Sequence, residues 1–288
     1  MDTSQPIIEI KGLSYKYAAA EKWALRDINL KIHEGEYVAL VGLNGAGKTT
    51  LGLCLNGIIP NMIMGEMEGE VLIKGLDTFE HPVRELAKIV GMVFDNPDYQ
   101  MSQFSVAEEI ALGLENLGLP YEQMKGTITE VLETVGLSGF EERSPYALSG
   151  GQQQRLMIAA SLAMRPTILV MDEPTSNIDP IGKEEVFAVA STLNKRNKMT
   201  VIIAEHEVDM IASFADRIIV MHDGRVVLNG SPREVFREIE AFQKYGLRVP
   251  QVTELFHKLS SRASRISMDE LPTTLDQAEI LYAALLGS

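Results

Sequence analysis

The chain has 288 residues, 45% of them hydrophobic and 23% charged, which is enough for one large globular domain or two modest ones. Its 40 acidic and 26 basic side chains leave a net charge of −14, which argues against gripping nucleic acid by counterion release and against adsorbing to anionic lipid. The one cysteine, Cys54, cannot form an internal disulfide, so the composition fits a reducing compartment and a small apolar core residue.

The opening stretch MDTSQPIIEI lacks the basic and apolar regions of a secretory signal. No apolar run approaches the ~18–20 residues that cross a bilayer. A soluble, cytoplasmic protein is expected unless another protein holds it at a membrane. Next in order, YVALVGLNGAGKTTLGLCLNG reads as strand, glycine loop and helix. Tyr37–Val41 is the strand, and Leu51, Leu55 and Ile58 follow at helical spacing. In GMVFDNPDYQ, residues 91–100, an apolar run breaks at Asp95-Asn96-Pro97-Asp98, which are common turn residues.

The character then changes. SVAEEIALGLENLGL places Val106, Ile110, Leu114 and Leu117 on one helical face, with Ser105 and Glu108 as a capping box. EQMKGTITEVLETVGL continues helical, so residues of roughly 96–165 read as a helical subdomain inserted into an α/β core. TILVMDEPTS and TVIIAEHE are continuously apolar, as central parallel strands buried on both faces should be. DRIIVMHDGRVVLNG reads as a hairpin turning at Asp223-Gly224. After Pro232 the pattern is helical to the end.

Three stretches carry chemistry. GLNGAGKT, Gly42 to Thr49, matches the G-x-x-x-x-G-K-[ST] loop whose backbone N–H groups and helix N-terminus cradle phosphates. Gly42, Asn44, Gly45, Ala46, Gly47, Lys48, Thr49 and Thr50 are the nucleotide-binding candidates there. Lys48 would reach the β- and γ-phosphates, and Thr49 would ligate Mg²⁺. ILVMDE supplies two adjacent carboxylates at a strand end that can divide the labour: Asp172 for Mg²⁺ and Glu173 as general base for the attacking water. LSGGQQQR, residues 148–155, offers Ser149, Gly150 and Gly151 as N–H donors, with Gln152 completing an S-x-x-Q capping pattern. Taken alone, that is a capped helix. A second anion site becomes sensible if it meets the nucleotide of another subunit.

With these motifs in hand, the chain resembles the ATP-binding subunits of ABC transporters. GLNGAGKT, LSGGQ, ILVMDE, SNID and the histidine of AEHE occur in that family's order over about residues 6–235. The resemblance implies a P-loop NTPase core of the RecA-like α/β class, with an inserted helical subdomain, an N-terminal antiparallel β region and a C-terminal helical extension. It also implies a head-to-tail dimer with two ATP molecules, each held between one P-loop and the partner's signature helix. Tyr17 would stack on adenine, although Tyr15 lies close by. Asp179 would organise the dimer contact, and His206 would contact the γ-phosphate. Where the family carries a Mg²⁺-touching glutamine after the second core strand, this chain has Asp95, a shorter and charged substitute.

The segment NPDYQ, together with SPREVF and YGLRVPQVTEL, is similar to the energy-coupling factor transporters that take up vitamins and transition-metal ions. That resemblance implies a peripheral ATPase on the cytoplasmic face of the cell membrane, paired with an identical or paralogous cassette. Its partners would be a membrane-embedded coupling protein and a separate substrate-binding membrane protein, with no nucleic acid involved. Residues 1–235 would form the ATPase domain, and 236–288 a helical extension adding dimer contacts. The transported substrate cannot be read from residues that never touch it.

Overall fold

The computed structural model describes residues 5–176, 178–260, 267 and 270–286. Asn177 of SNID lies outside the described residues, as do the parts of the expected C-terminal helices at 261–266, 268–269 and 287–288.

In chain order the strands are β1 (Ile8–Tyr17), β2 (Leu25–Ile32), β3 (Tyr37–Val41), β4 (Gly65–Ile73), β5 (Leu76–Asp77), β6 (Val90–Val93), β7 (Ile168–Asp172), β8 (Thr200–Ala204), β9 (Arg217–His222) and β10 (Arg225–Gly230). They form two sheets. One is antiparallel, ordered β2-β1-β4-β5, and the other is ordered β10-β9-β3-β8-β7-β6. In the second sheet β9, β3, β8, β7 and β6 run parallel, and only β10 returns antiparallel, through the Asp223-Gly224 turn. Both turn residues have positive φ, as a tight hairpin requires.

Strands β3, β7 and β8 are buried at every residue, which explains their unbroken apolar runs. Successive side chains of a strand point to opposite faces, so β3 divides its residues between two cores. Tyr37, Ala39 and Val41 join a cluster with the helices of 106–163 and 180–197. Val38 and Leu40 join another with the P-loop helix and the antiparallel sheet. Because the central strands are parallel, their carboxyl ends share one edge, and the loops that follow them meet there.

The helix Lys48–Leu55 follows the glycine loop and ends before Ile58. Asn56 caps it, and at Gly57 a Cβ would lie 2.3 Å from Leu86 Cδ1. Ile58 therefore opens a separate short turn, Ile58–Asn61, rather than continuing the predicted helical face. Cys54 is buried and free, as expected, and burial pushes its thiol up to about 12.

Between β6 and β7 stand the helices Val106–Asn116, Tyr121–Thr134 and Gly150–Ala163. Val106, Ile110 and Leu114 are fully buried, whereas Leu117 is the C-cap and only half-buried. Ser105 and Glu108 form the expected capping box. Residues 96–105 are not helical beyond a single 3₁₀ turn at Pro97–Tyr99, capped by Asn96.

The C-terminal segment carries helices Pro232–Phe236, Ile239–Lys244, Gln251–Ser260 and Leu275–Leu286. Phe236 and Phe242 are fully buried, 5.5 Å apart, and belong to the main core. Leu255, Leu275, Ile280 and Tyr282 remain exposed on the last two helices.

Candidate nucleotide site

The cleft at the carboxyl edge of the parallel strands measures about 450 Å³ and is lined by Tyr17, Ala24, Asn44 through Thr50, Asp95, Asp172 and Glu173. These residues come from distant parts of the chain. Gly47 is the N-cap of the P-loop helix at φ 106, a left-handed conformation open to glycine at little cost. A Cβ there would sit 2.7 Å from the Ala24 carbonyl. The loop is thus packed so closely that no side chain fits at this position.

Lys48 is 4% exposed. Its Nζ donates to the Gly42 carbonyl at 2.8 Å and lies 3.2 Å from Glu173 Oε1. Glu173 Oε1 is also 2.8 Å from His206 Nε2. Gly42 and His206 do not line the cleft themselves but touch its wall through Lys48 and Glu173. Burial raises the Glu173 carboxyl, but the charges and hydrogen bonds of His206 and Lys48 outweigh it, and the net shift is downward. Glu173 is therefore ionised at neutral pH, as a base must be. Its backbone is left-handed, at φ 46, and its N–H donates to the Ala204 carbonyl at 2.8 Å.

Asp172 is buried, and its Oδ1 has no hydrogen-bond partner. Burial raises its pKa, a hydrogen bond from Thr49 lowers it, and the charges of Glu173 and Asp95 raise it again. An orphaned carboxylate oxygen beside a threonine hydroxyl and a second carboxylate is a hard-oxygen donor set suited to Mg²⁺. Among the described residues no group of three or more His, Cys, Asp or Glu side chains is placed to hold a metal. An ion here would complete its shell with phosphate oxygens and water.

Asp95 faces into this cleft because Gln100 folds its segment back. Gln100 Oε1 accepts from the Phe94 N–H at 2.8 Å, and Gln154 of the signature helix donates to the Phe94 carbonyl at 2.9 Å. If Asp95 shares in holding the ion, Asp95→Ala will shift the Mg²⁺ concentration for half-maximal hydrolysis upward about three- to ten-fold, within the energy of one charge-assisted contact. An unchanged Mg²⁺ titration would leave Asp95 as a turn residue alone.

Tyr17 lines the cleft and its hydroxyl lies 3.0 Å from Thr50 Oγ1, whereas Tyr15 is fully buried. The two rings meet edge-on at 5.0 Å. The two residues share one face of β1, two residues apart, and differ in their place along it. Tyr17, at the end of the strand, reaches Thr50 at the cleft, whereas Tyr15 lies further in, with its hydroxyl donating to the Ile63 carbonyl at 3.2 Å.

Ser149, Gly150, Gly151, Gln152 and Asp179 do not line this cleft. Ser149 and Gln152 form a reciprocal capping box at the head of the signature helix Gly150–Ala163. The Ser149 N–H already donates to Gln152 Oε1 at 3.0 Å, so of the three N–H groups expected to face an anion, only those of Gly150 and Gly151 remain for one. Asp179 caps the helix Pro180–Asn197 by accepting from the Gly182 N–H at 3.0 Å. Within one chain, the signature residues and the P-loop thus lie at separate places.

A family model of ABC transporters matches residues 25–176. An ABC transporter ATP-binding protein of Pyrococcus abyssi is 46% identical over 89% of this chain and 91% of its own length. The chain belongs to the ABC transporter ATP-binding family. Among solved structures, CbiO1 of Clostridium perfringens, part of the ABC transporter complex CbiONQ, is 34% identical with a TM-score of 0.74, covering 88% of this chain and all of that one. A dimeric ATP-binding cassette in a post-hydrolysis state with ADP and Pi is 29% identical with a TM-score of 0.68, covering 78% of this chain and 98% of that one. This ABC cassette binds and hydrolyses ATP as the ATPase subunit of an ABC transporter, and its family dimerises. No helix among its described residues is long and apolar enough to cross a membrane.

Two features of the site escaped the sequence reading. Glu205 is 3% exposed and accepts from Thr175 and His206, a role hidden because a glutamate beside a histidine reads as one more strand-end acid. Glu109 is buried and accepts from the N–H groups of Ser102 and Gln103, both at 2.8 Å, which stiffens the loop after Asp95.

Proposed function

We propose that this ABC cassette powers uptake of a micronutrient, a vitamin or a transition-metal ion, through an energy-coupling factor transporter. In this reading two cassettes pair head to tail on Mg²⁺-ATP. Lys48 and the P-loop amides hold the phosphates, Thr49 and Asp172 hold the ion, Tyr17 packs on adenine, and His206 meets the γ-phosphate. Glu173 takes a proton from the attacking water as the water oxygen bonds the γ-phosphorus and the bond to the leaving β-phosphate oxygen breaks. The Gly150 and Gly151 N–H groups and the Ser149 hydroxyl of the partner cassette close the second side of the nucleotide, and Asp179 lies at the contact between the two.

The observation that carries the transport reading is a groove of about 330 Å³ whose walls include Met92, Gln100, Leu112, Gly113, Met157 and Met164. Gln100 forms part of this wall while also holding the strand end from which Asp95 reaches the nucleotide cleft. One segment thereby borders both the nucleotide cleft and a groove partly lined by methionine, a side chain that adapts to an apolar partner. Tyr99 and Phe104 stand 84% and 89% exposed on the same segment. Helical segments of a membrane coupling protein are the proposed occupants, and dimer closure would move them. The likeness to CbiO1 supports the energy-coupling factor subtype.

The C-terminal helices are proposed to add dimer contacts through the exposed Leu255, Leu275, Ile280 and Tyr282, with Phe236 and Phe242 serving the cassette's own core. The cassette would then sit at the cytoplasmic face of the membrane by protein contacts alone. Purification from detergent-solubilised membranes with identification of the associated chains tests the reading. A multi-span coupling protein with a small substrate-binding membrane protein is the expected result. Recovery of a two-domain permease with an external binding protein would place the cassette in another importer type.

A further inference from the structure

His206 lies between β8 and the helix Val208–Phe214, on a segment without regular structure, so its ring is placed by what its neighbours bond. On the inner side Glu205 accepts from Thr175 N at 3.0 Å, from Thr175 Oγ1 at 2.6 Å and from His206 N at 3.0 Å. On the outer side Glu207 occupies the N-cap of the next helix yet makes no capping hydrogen bond. Its carboxylate pairs instead with Lys183 Nζ.

Lys183 stands on a fixed platform, the first turn of the helix Pro180–Asn197. Gly182, one residue before it, abuts the signature helix so closely that a Cβ on Gly151 would lie 3.0 Å from Gly182 Cα. Glu185, two residues after it, pairs with Arg155 of the signature helix at 3.1 Å. The ammonium group is thereby held relative to the sheet edge, and Glu207 is held to the ammonium.

We propose that Lys183 and Glu207 are positioning residues for ATP hydrolysis: their ion pair sets the placement of the His206 imidazole against Glu173. The inference rests on the γ-phosphate role proposed above for His206. The Lys183 and Glu207 side chains are 27% and 46% exposed, so their pairing contributes little to stability. Chemistry is more demanding than folding, because displacing a reacting group by an ångström costs far more in rate than a surface contact contributes to the fold.

The test is steady-state ATP hydrolysis by the full chain, with kcat, KM and the thermal midpoint measured for each variant. Lys183→Met is expected to lower kcat about ten-fold, with KM for ATP and the midpoint unchanged. Lys183→Arg, which keeps the charge, should recover most of that loss. The exchanged pair, Lys183→Glu with Glu207→Lys, should hydrolyse ATP several-fold faster than either single change. A wild-type kcat for Lys183→Met, a loss matched by a falling midpoint, or an exchanged pair no better than its singles would overturn the proposal. His206→Ala separates the two levels. If it leaves hydrolysis intact, the reading of His206 fails; if it abolishes hydrolysis while Lys183→Met does not slow it, only the ion pair's role fails.

Discussion

Glu173→Gln is expected to lower kcat for ATP hydrolysis by about three orders of magnitude while leaving ATP affinity within a few-fold of the wild type. The amide has nearly the same shape as the carboxylate and can still accept from Lys48 and His206, whose nitrogens lie 3.2 and 2.8 Å from Oε1. What it loses is the negative charge that lets the group take a proton from water. Because ATP is still held but not cleaved, the variant should also accumulate as an ATP-bound dimer, visible as a doubled mass on size-exclusion chromatography with light scattering. Full turnover by the variant would remove Glu173 as the base, and a species that stays monomeric on saturating ATP would remove the two-sided site.

Lys48→Met should lower kcat/KM by about 100-fold or more if Lys48 meets the phosphates as proposed, since a buried cation acts where solvent screening is weak. The same substitution carries a pH signature. In the free protein, burial raises the Glu173 carboxyl while His206 and Lys48 together bring it below its ordinary value, so the carboxylate proposed as the base is ionised down to acidic pH. With Lys48 gone, the burial effect remains and one opposing cation is lost, so the pKa moves up. The acid limb of the kcat/KM profile, which reports the free enzyme, should therefore move to higher pH in Lys48→Met. An acid limb that stays in place would mean that Lys48 does not set the charge on Glu173.

Local pattern was enough to read the chemistry. A P-loop after a buried strand, a strand ending in Asp172-Glu173 and a serine-glycine helix start are each written in contiguous residues, because each depends on local backbone geometry at a strand or helix end. The continuous apolar character of Tyr37–Val41, Ile168–Asp172 and Thr200–Ala204 likewise foretold strands buried on both faces, since a parallel sheet covered by helices leaves no polar side to alternate with.

The tertiary structure alone decided how those pieces face one another. Tyr15 and Tyr17 share one face of β1, so which of them lines the cleft is decided by position along the strand: Tyr17 at its end borders the P-loop, and Tyr15 is covered by the packing against β4 and the P-loop helix. The bonding of Glu205 to Thr175 and of Glu207 to Lys183 spans 30 and 24 residues, and no motif encodes such pairs. They arise because parallel strands bring the ends of distant segments to one edge of the sheet, where carboxylates can reach across to neighbouring loops.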